Sequence, residues 1–140
     1  MTQSLPRGVR NRNPGNIDHS PANNWVGQIG KEPGGRFVIF DTPENGIRAL
    51  GMLLQTYYNK HKLRTVKDII KRWAPEVEND TGAYIRTVAE RCGLGPSDQI
   101  ANIKDPKILG GLVQAIIKHE NANFEYPPAI FAEGLRRALA

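Results

Sequence analysis

Cysteine is nearly absent: Cys92 is the only one in 140 residues. A lone cysteine excludes an internal disulfide framework and any cysteine-rich zinc site. It follows Val88 and Ala89 at helical spacing, so its thiol reads as packed core. Histidine is scarce too, and His19, His61 and His119 show no metal-ligand spacing such as H-E-x-x-H. No metal and no cofactor are therefore expected. Aromatic residues make up only 7% of the chain. No apolar run approaches the roughly 20 residues needed to span a bilayer. The opening residues Met1 to Arg7 lack the apolar stretch of a cleaved signal peptide.

What is present fits one globular domain over residues 1–140, long enough to bury a core. Hydrophobic residues account for 39% and charged residues for 24%, which excludes a disordered or fibrous chain. The formal net charge is +5 and the pI about 9.6. Such a balance favours an anionic partner, and nucleic acid, an anionic cell wall and a membrane surface all qualify.

The first third is rich in Gly, Pro and Asn. Arg7 to Ile17, with Asn13-Pro14-Gly15-Asn16 at its centre, reads as a shaped loop. Trp25 to Ile29 and Arg36 to Phe40 read as two short strands around the turn signal Pro33-Gly34-Gly35, giving a hairpin that needs helices to pack on. From Thr42 the period becomes helical. Thr42 is an N-cap before Pro43, and Ile47, Leu50, Leu54 and Tyr57 or Tyr58 follow on one face. Thr65 to Asp68 resembles a capping box opening a helix with Val66, Ile69, Ile70 and Trp73 inward, ended by Pro75. A third helix follows the caps Asn79, Asp80 and Thr81, carries Tyr84, Ile85, Val88 and Cys92, and closes at Gly93 and Gly95. Asp105-Pro106 opens a fourth. Pro127-Pro128 opens the last, with Ile130, Phe131, Leu135 and Leu139 on one face and Arg136 and Arg137 on another. The fold class expected is mainly α (α+β) with one small hairpin.

One carboxylate is out of place. The fourth helix ends Ile116-Ile117-Lys118-His119-Glu120-Asn121, so Glu120 continues a buried stripe. It also stands near a helix C-terminus, where the dipole opposes negative charge by about 0.3–1 kcal/mol. Both effects disfavour the ionised form, as a carboxylic general acid requires. The plainer reading is a glutamate at a frayed helix end, turned to water. Glu44 sits in a first turn and favours the dipole; Glu76 and Glu78 flank Pro75; Asp80 reads as a cap. No spacing forces any of them into partnership with Glu120.

Taken together, Arg7 to Ile17, Trp25-Val26-Gly27, Phe37 to Phe40, Gly46 to Leu50, Arg72 to Pro75 and Glu78 to Tyr84 resemble a phage family of peptidoglycan-degrading enzymes in the lysozyme superfamily, the muralytic P5-like type of an enveloped double-stranded RNA phage. The resemblance spans nearly the whole chain and rests on the order and spacing of the blocks. A looser similarity to bacterial wall glucosaminidases and lytic transglycosylases assigns roles. In those enzymes the helix ending in the catalytic Glu precedes an Asn/Gly-rich hairpin, an aromatic-ended strand and a tyrosine-bearing helix. Here the hairpin block comes first and the glutamate helix last, so the resemblance implies a circularly permuted lysozyme-like domain.

The resemblance implies cleavage of the glycan strands of peptidoglycan, by lytic transglycosylase or muramidase chemistry, with Glu120 as general acid/base. Tyr84 would point its hydroxyl toward the reacting centre. Asn13, Asn16, Asn79 and Thr81 would bind substrate, Trp25 would stack on a sugar face, and Arg10 would pair with Glu120 or another site carboxylate. A hydrolase would need Glu78 or Glu44 to activate water. The partner expected is bacterial peptidoglycan and not nucleic acid, with the C-terminal helix contacting anionic membrane weakly, and the chain acting as a monomer. It would be made in the host cytoplasm and act at the wall, or travel in a virion. Two rivals stand beside this reading: a basic nucleic-acid-binding module, against which the dispersed basic residues speak, and a catalytically inactive lysozyme-like virion component.

Overall fold

The computed structural model describes residues 5–74 and 81–140. Among them are six helices and one two-stranded sheet: α1 (Arg7–Arg10), β1 (Gln28–Lys31), β2 (Val38–Phe40), α2 (Pro43–Asn59), α3 (Val66–Trp73), α4 (Thr81–Cys92), α5 (Pro106–Glu120) and α6 (Pro128–Leu139). The protein is mainly α with a small hairpin. It packs as two compact units, Met1–Gly51 with Ile116–Ala140, and Met52–Ala115; the divisions fall inside α2 and α5.

In the first unit the hairpin forms with a shift. The strands pair antiparallel, Lys31 opposite Val38 and Gln28 opposite Phe40, with a bulge between Gln28 and Gly30. The first strand thus starts three residues later than the sequence suggests, and Trp25 and Val26 lie ahead of it. On β2, Val38 and Phe40 are buried and Ile39 is half-buried, the alternation of a strand with one face turned inward. The segment Arg7–Arg10, read above as loop, is one turn of helix. On α2, Ile47, Ala49 and Leu50 are fully buried, and Thr42 caps the start by accepting the Asn45 amide at 3.2 Å.

The last helix corrects an expectation. Ile130, Phe131, Leu135 and Leu139 are only half-buried, whereas Gly134 and Ala138 face inward. A Cβ placed on Gly134 would stand 2.5 Å from Ile47 Cβ and 3.1 Å from the Glu44 carbonyl. The helix therefore packs through its small residues at close approach, with the larger apolar groups flanking that seam.

In the second unit, Thr65 accepts the Asp68 amide at 3.1 Å, the cap expected of that sequence. Val66, Ile69 and Ile70 are fully buried, while Trp73 is half-buried and tilts against Tyr57 at 6.3 Å. Gly93, at φ +75°, ends α4: the Leu94 amide reaches the Ala89 carbonyl and the Gly93 amide that of Glu90, the two bonds of a Schellman motif. Cys92 is buried, and burial pushes its thiol up to about 11. Pro75, Asn79 and Asp80 lie outside the described residues.

Candidate functional site

The site is best built from the end of α5. Ile116 and Ile117 are fully buried, but Glu120, the last residue of the helix, is half-buried and does not fully continue their stripe. Its carboxylate is nonetheless held. Asn16, 104 residues earlier, donates from Nδ2 to Glu120 Oε1 at 2.9 Å. Asn16 can do this because its backbone is left-handed, φ 49°, a conformation that asparagine tolerates better than most residues.

The next residue explains why loop and helix end stay together. Asn121 is 1% exposed, and its Nδ2 donates at 2.8 Å both to the Pro14 carbonyl of the loop and to the Ile117 carbonyl of its own helix. Beyond it the chain turns through Ala122 (φ 53°) and Asn123 (φ 66°), and the Asn123 amide bonds the Lys118 carbonyl at 2.8 Å. The helix is thus closed by a left-handed turn without glycine.

The loop is pinned from inside by hydrogen bonds. Asn13 is fully buried; its Nδ2 donates to the Ile17 and Val38 carbonyls and its Oδ1 accepts the Ile17 amide, all at 3.0 Å. With every polar atom turned inward, Asn13 is a clamp between loop and β2 and not a sugar-facing group, which corrects its assignment to substrate. Gly8, on α1, is pressed against the same cluster: a Cβ there would lie 2.5 Å from Asn121 Oδ1 and 3.1 Å from Asn16 Oδ1. Those two oxygens are buried without a hydrogen-bond partner among the described residues.

The other expected residues are spread more widely. Arg10 is exposed and pairs with no carboxylate among the described residues; the arginine of that helix that does so is Arg7, which bonds Glu32 through Nε at 3.1 Å and through Nη2. Trp25 is half-buried, its indole Nε1 inside and without an acceptor among the described residues. Glu44 is half-buried in the first turn of α2. Tyr84 belongs to the second unit, where its half-buried hydroxyl donates to the Ala115 carbonyl at 3.4 Å. Glu78, Asn79 and the side chain of Thr81 lie outside the described residues. Among the described residues no three His, Cys, Asp or Glu side chains converge as a metal-holding group.

Sequence reasoning missed two buried polar residues of this part of the chain. Asn121 was legible only as the residue after Glu120, although it falls four residues after buried Ile117. Tyr126, in the turn between α5 and α6, is buried with its ring edge-on to Phe124 at 5.0 Å, and burial pushes its hydroxyl up to about 12.

The chain is 37% identical over 122 residues to Protein P5 of Pseudoalteromonas phage PM2, an alignment covering 86% of this chain and 74% of that protein. It belongs to the P5 family of that phage protein. No known family model matches it. So few residues fall outside the alignment that it takes in parts of both units. The relative's name states no activity, so P5-family membership establishes a phage association and leaves the chemistry to the residues. No helix among the described residues is long and apolar enough to cross a membrane.

Proposed function

We propose that this P5-family protein cleaves the glycan strands of bacterial peptidoglycan, with Glu120 as general acid/base, in a circularly permuted lysozyme-like domain. The observation that carries this reading is the Asn16–Glu120 hydrogen bond at 2.9 Å. It joins the Asn-rich loop, which precedes the hairpin in the chain, to a glutamate that ends a helix, a juxtaposition that supports the permuted order. A phage relative supports the reading, since a phage must breach the wall of its host.

Chemically, a carboxyl oriented by a fixed amide donor needs little reorganisation before it acts. Protonated Glu120 donates to the leaving glycosidic oxygen as the bond to the anomeric carbon breaks. In the transglycosylase route the resulting carboxylate removes the proton of the muramoyl 6-hydroxyl while that oxygen bonds to the same carbon, giving an anhydro ring and restoring the acid. This route needs no second carboxylate. In the hydrolase route a water takes the place of the 6-hydroxyl, and Glu44 is the described carboxylate offered for it.

Mass spectrometry of digested peptidoglycan tests the reading and separates its branches. Anhydro-muramoyl ends mark a transglycosylase, reducing muramic acid ends a muramidase and reducing glucosamine ends a glucosaminidase. No product at all favours the inactive virion component. Glu120→Gln keeps shape and the Asn16 contact but removes the proton; it should lower turnover by about 10²–10⁴-fold, the usual contribution of general acid–base catalysis, with an unchanged melting temperature. Undiminished cleavage by Glu120→Gln would remove this residue from the chemistry.

A further inference from the structure

The contact proposed to carry the chemistry is set from behind by Gly8. This residue is buried within the single turn of α1, and its φ is not positive, so glycine stands there for space and not for backbone freedom. A Cβ on it would lie 2.5 Å from Asn121 Oδ1, 2.8 Å from the Asn13 carbonyl oxygen and 3.1 Å from Asn16 Oδ1. Each of these oxygens leads to the same side chain. The Asn13 carbonyl accepts the Asn16 backbone amide at 2.9 Å. Asn121 holds the Pro14 carbonyl, two residues before Asn16, at 2.8 Å. The third oxygen is Asn16's own, and the Nδ2 of that amide donates to Glu120 Oε1 at 2.9 Å. Both amide oxygens are buried without a hydrogen-bond partner among the described residues. Buried acceptors are normally paired, so an arrangement that leaves two of them bare against one methylene group needs a reason.

Resting on the proposed role of Glu120, we infer that Gly8 and Asn121 are positioning residues of the reaction: together they place the Asn16 amide on the Glu120 carboxylate. Asn121 ties the loop to the last turn of α5, since its Nδ2 donates to both the Pro14 and the Ile117 carbonyls. Gly8 supplies the limit on the other side. Having no side chain, it lets both amides settle against α1 with their NH2 groups turned away, that of Asn121 toward two carbonyls and that of Asn16 toward the carboxylate. A methyl group on Gly8 must push on all three oxygens, and a hydrogen bond weakens steeply once donor and acceptor lose their alignment. Neither residue touches substrate in this scheme; both act through Asn16.

Double-mutant cycles on the full chain test this, with soluble glycan strands of peptidoglycan as substrate and melting curves to set a temperature at which every variant is folded. Asn16→Ala should lower kcat about tenfold, the lower end of what a hydrogen bond to a charged group contributes. Gly8→Ala and Asn121→Ala should each lower kcat about tenfold with KM within about twofold, and neither should lower it further in a chain that already carries Asn16→Ala. A purely structural role predicts otherwise: a lower melting temperature with kcat per folded molecule unchanged, or losses that multiply in the double variants. Either result would overturn the proposal, and Asn121→Ala decides it should Gly8→Ala not fold. A second readout needs no catalysis. The side-chain amide of Asn16 gives its own NMR signal, which Glu120→Ala should shift. Gly8→Ala and Asn121→Ala should shift it in the same direction, and an unmoved signal sinks the inference. A wild type that cuts no glycan sinks the cleavage reading, and the Asn16 signal then decides the placement alone.

Discussion

Two asparagines three residues apart do different work. Asn16 lends one amide hydrogen to Glu120 at 2.9 Å, whereas Asn13 turns its whole amide inward to three backbone groups. The distinction matters for what substitution does. Removing the Asn13 amide strands the Ile17 N–H in a dry interior and takes a donor from the Val38 carbonyl, while the Ile17 carbonyl keeps the Val38 amide at 3.0 Å; an unsatisfied buried group costs about 1–3 kcal/mol. Asn13→Ala is therefore expected to lower the denaturant midpoint by the equivalent of about 2–3 kcal/mol, with binding of glycan fragments by the remaining folded protein unaltered. A loss of fragment affinity without loss of stability would return Asn13 to the substrate surface. Much of this was hidden in the sequence, because an Asn-Pro-Gly-Asn run specifies a turn without saying which amide faces which way; that depends on β2 and α5 arriving alongside.

At the scale of elements, α6 shows how packing outweighs pattern. Its large apolar residues suggest a greasy face, yet Gly134 and Ala138 lie deepest, against Ile47. Gly134→Ala separates the two influences. Alanine should improve an isolated helix by about 1 kcal/mol. Here its Cβ would meet Ile47 Cβ at 2.5 Å, and both Ile47 contacts are stiff, branched atoms near the backbone. Overpacking costs about 1–3 kcal/mol, so the net expectation is destabilisation, seen as a lower melting temperature. A stabilised Gly134→Ala would mean that the α2–α6 seam is looser than described. The capped helices, by contrast, were legible: Thr42 and Thr65 accept the amides their positions call for, because a cap is a contact between near neighbours in sequence. The hairpin was legible as an element, but the bulge between Gln28 and Gly30 and the later start of β1 were not.

For the molecule as a whole, acid should be the destabilising condition. Hydrogen bonds from Arg7, then Asn11, bring Glu32 from an ordinary value near 4.5 to about 2, and hydrogen bonds from Arg136, then Arg137, do the same for Glu133. Both groups hold protons less readily folded than unfolded. Their stabilising contribution is complete above pH 4.5 and is lost as pH falls toward 2, since in that window the unfolded chain binds more protons. Melting temperature should therefore fall steadily from pH 5 to pH 2, more steeply at low than at high salt as the rising positive charge repels itself. Arg7→Gln should flatten the slope; an unchanged slope in that variant would show that the Arg7–Glu32 pair does not form in solution. The net charge of +5 was evident at once. That Arg48 of α2 and Arg137 of α6 would lie on one open stretch of surface was not, for they are 89 positions apart in the chain.

The order of amino acids by itself determined the five longer helices, the caps Thr42 and Thr65, the presence of a hairpin, the burial of Cys92 and the basic character of the chain, because each follows from period, neighbour chemistry or count. Folding in three dimensions decided what Glu120 touches, which asparagine reaches it and how closely α6 approaches Ile47. Those outcomes depend on contacts between residues tens of positions apart, and such contacts form only where the summed burial of both units offsets the entropy of bringing them together.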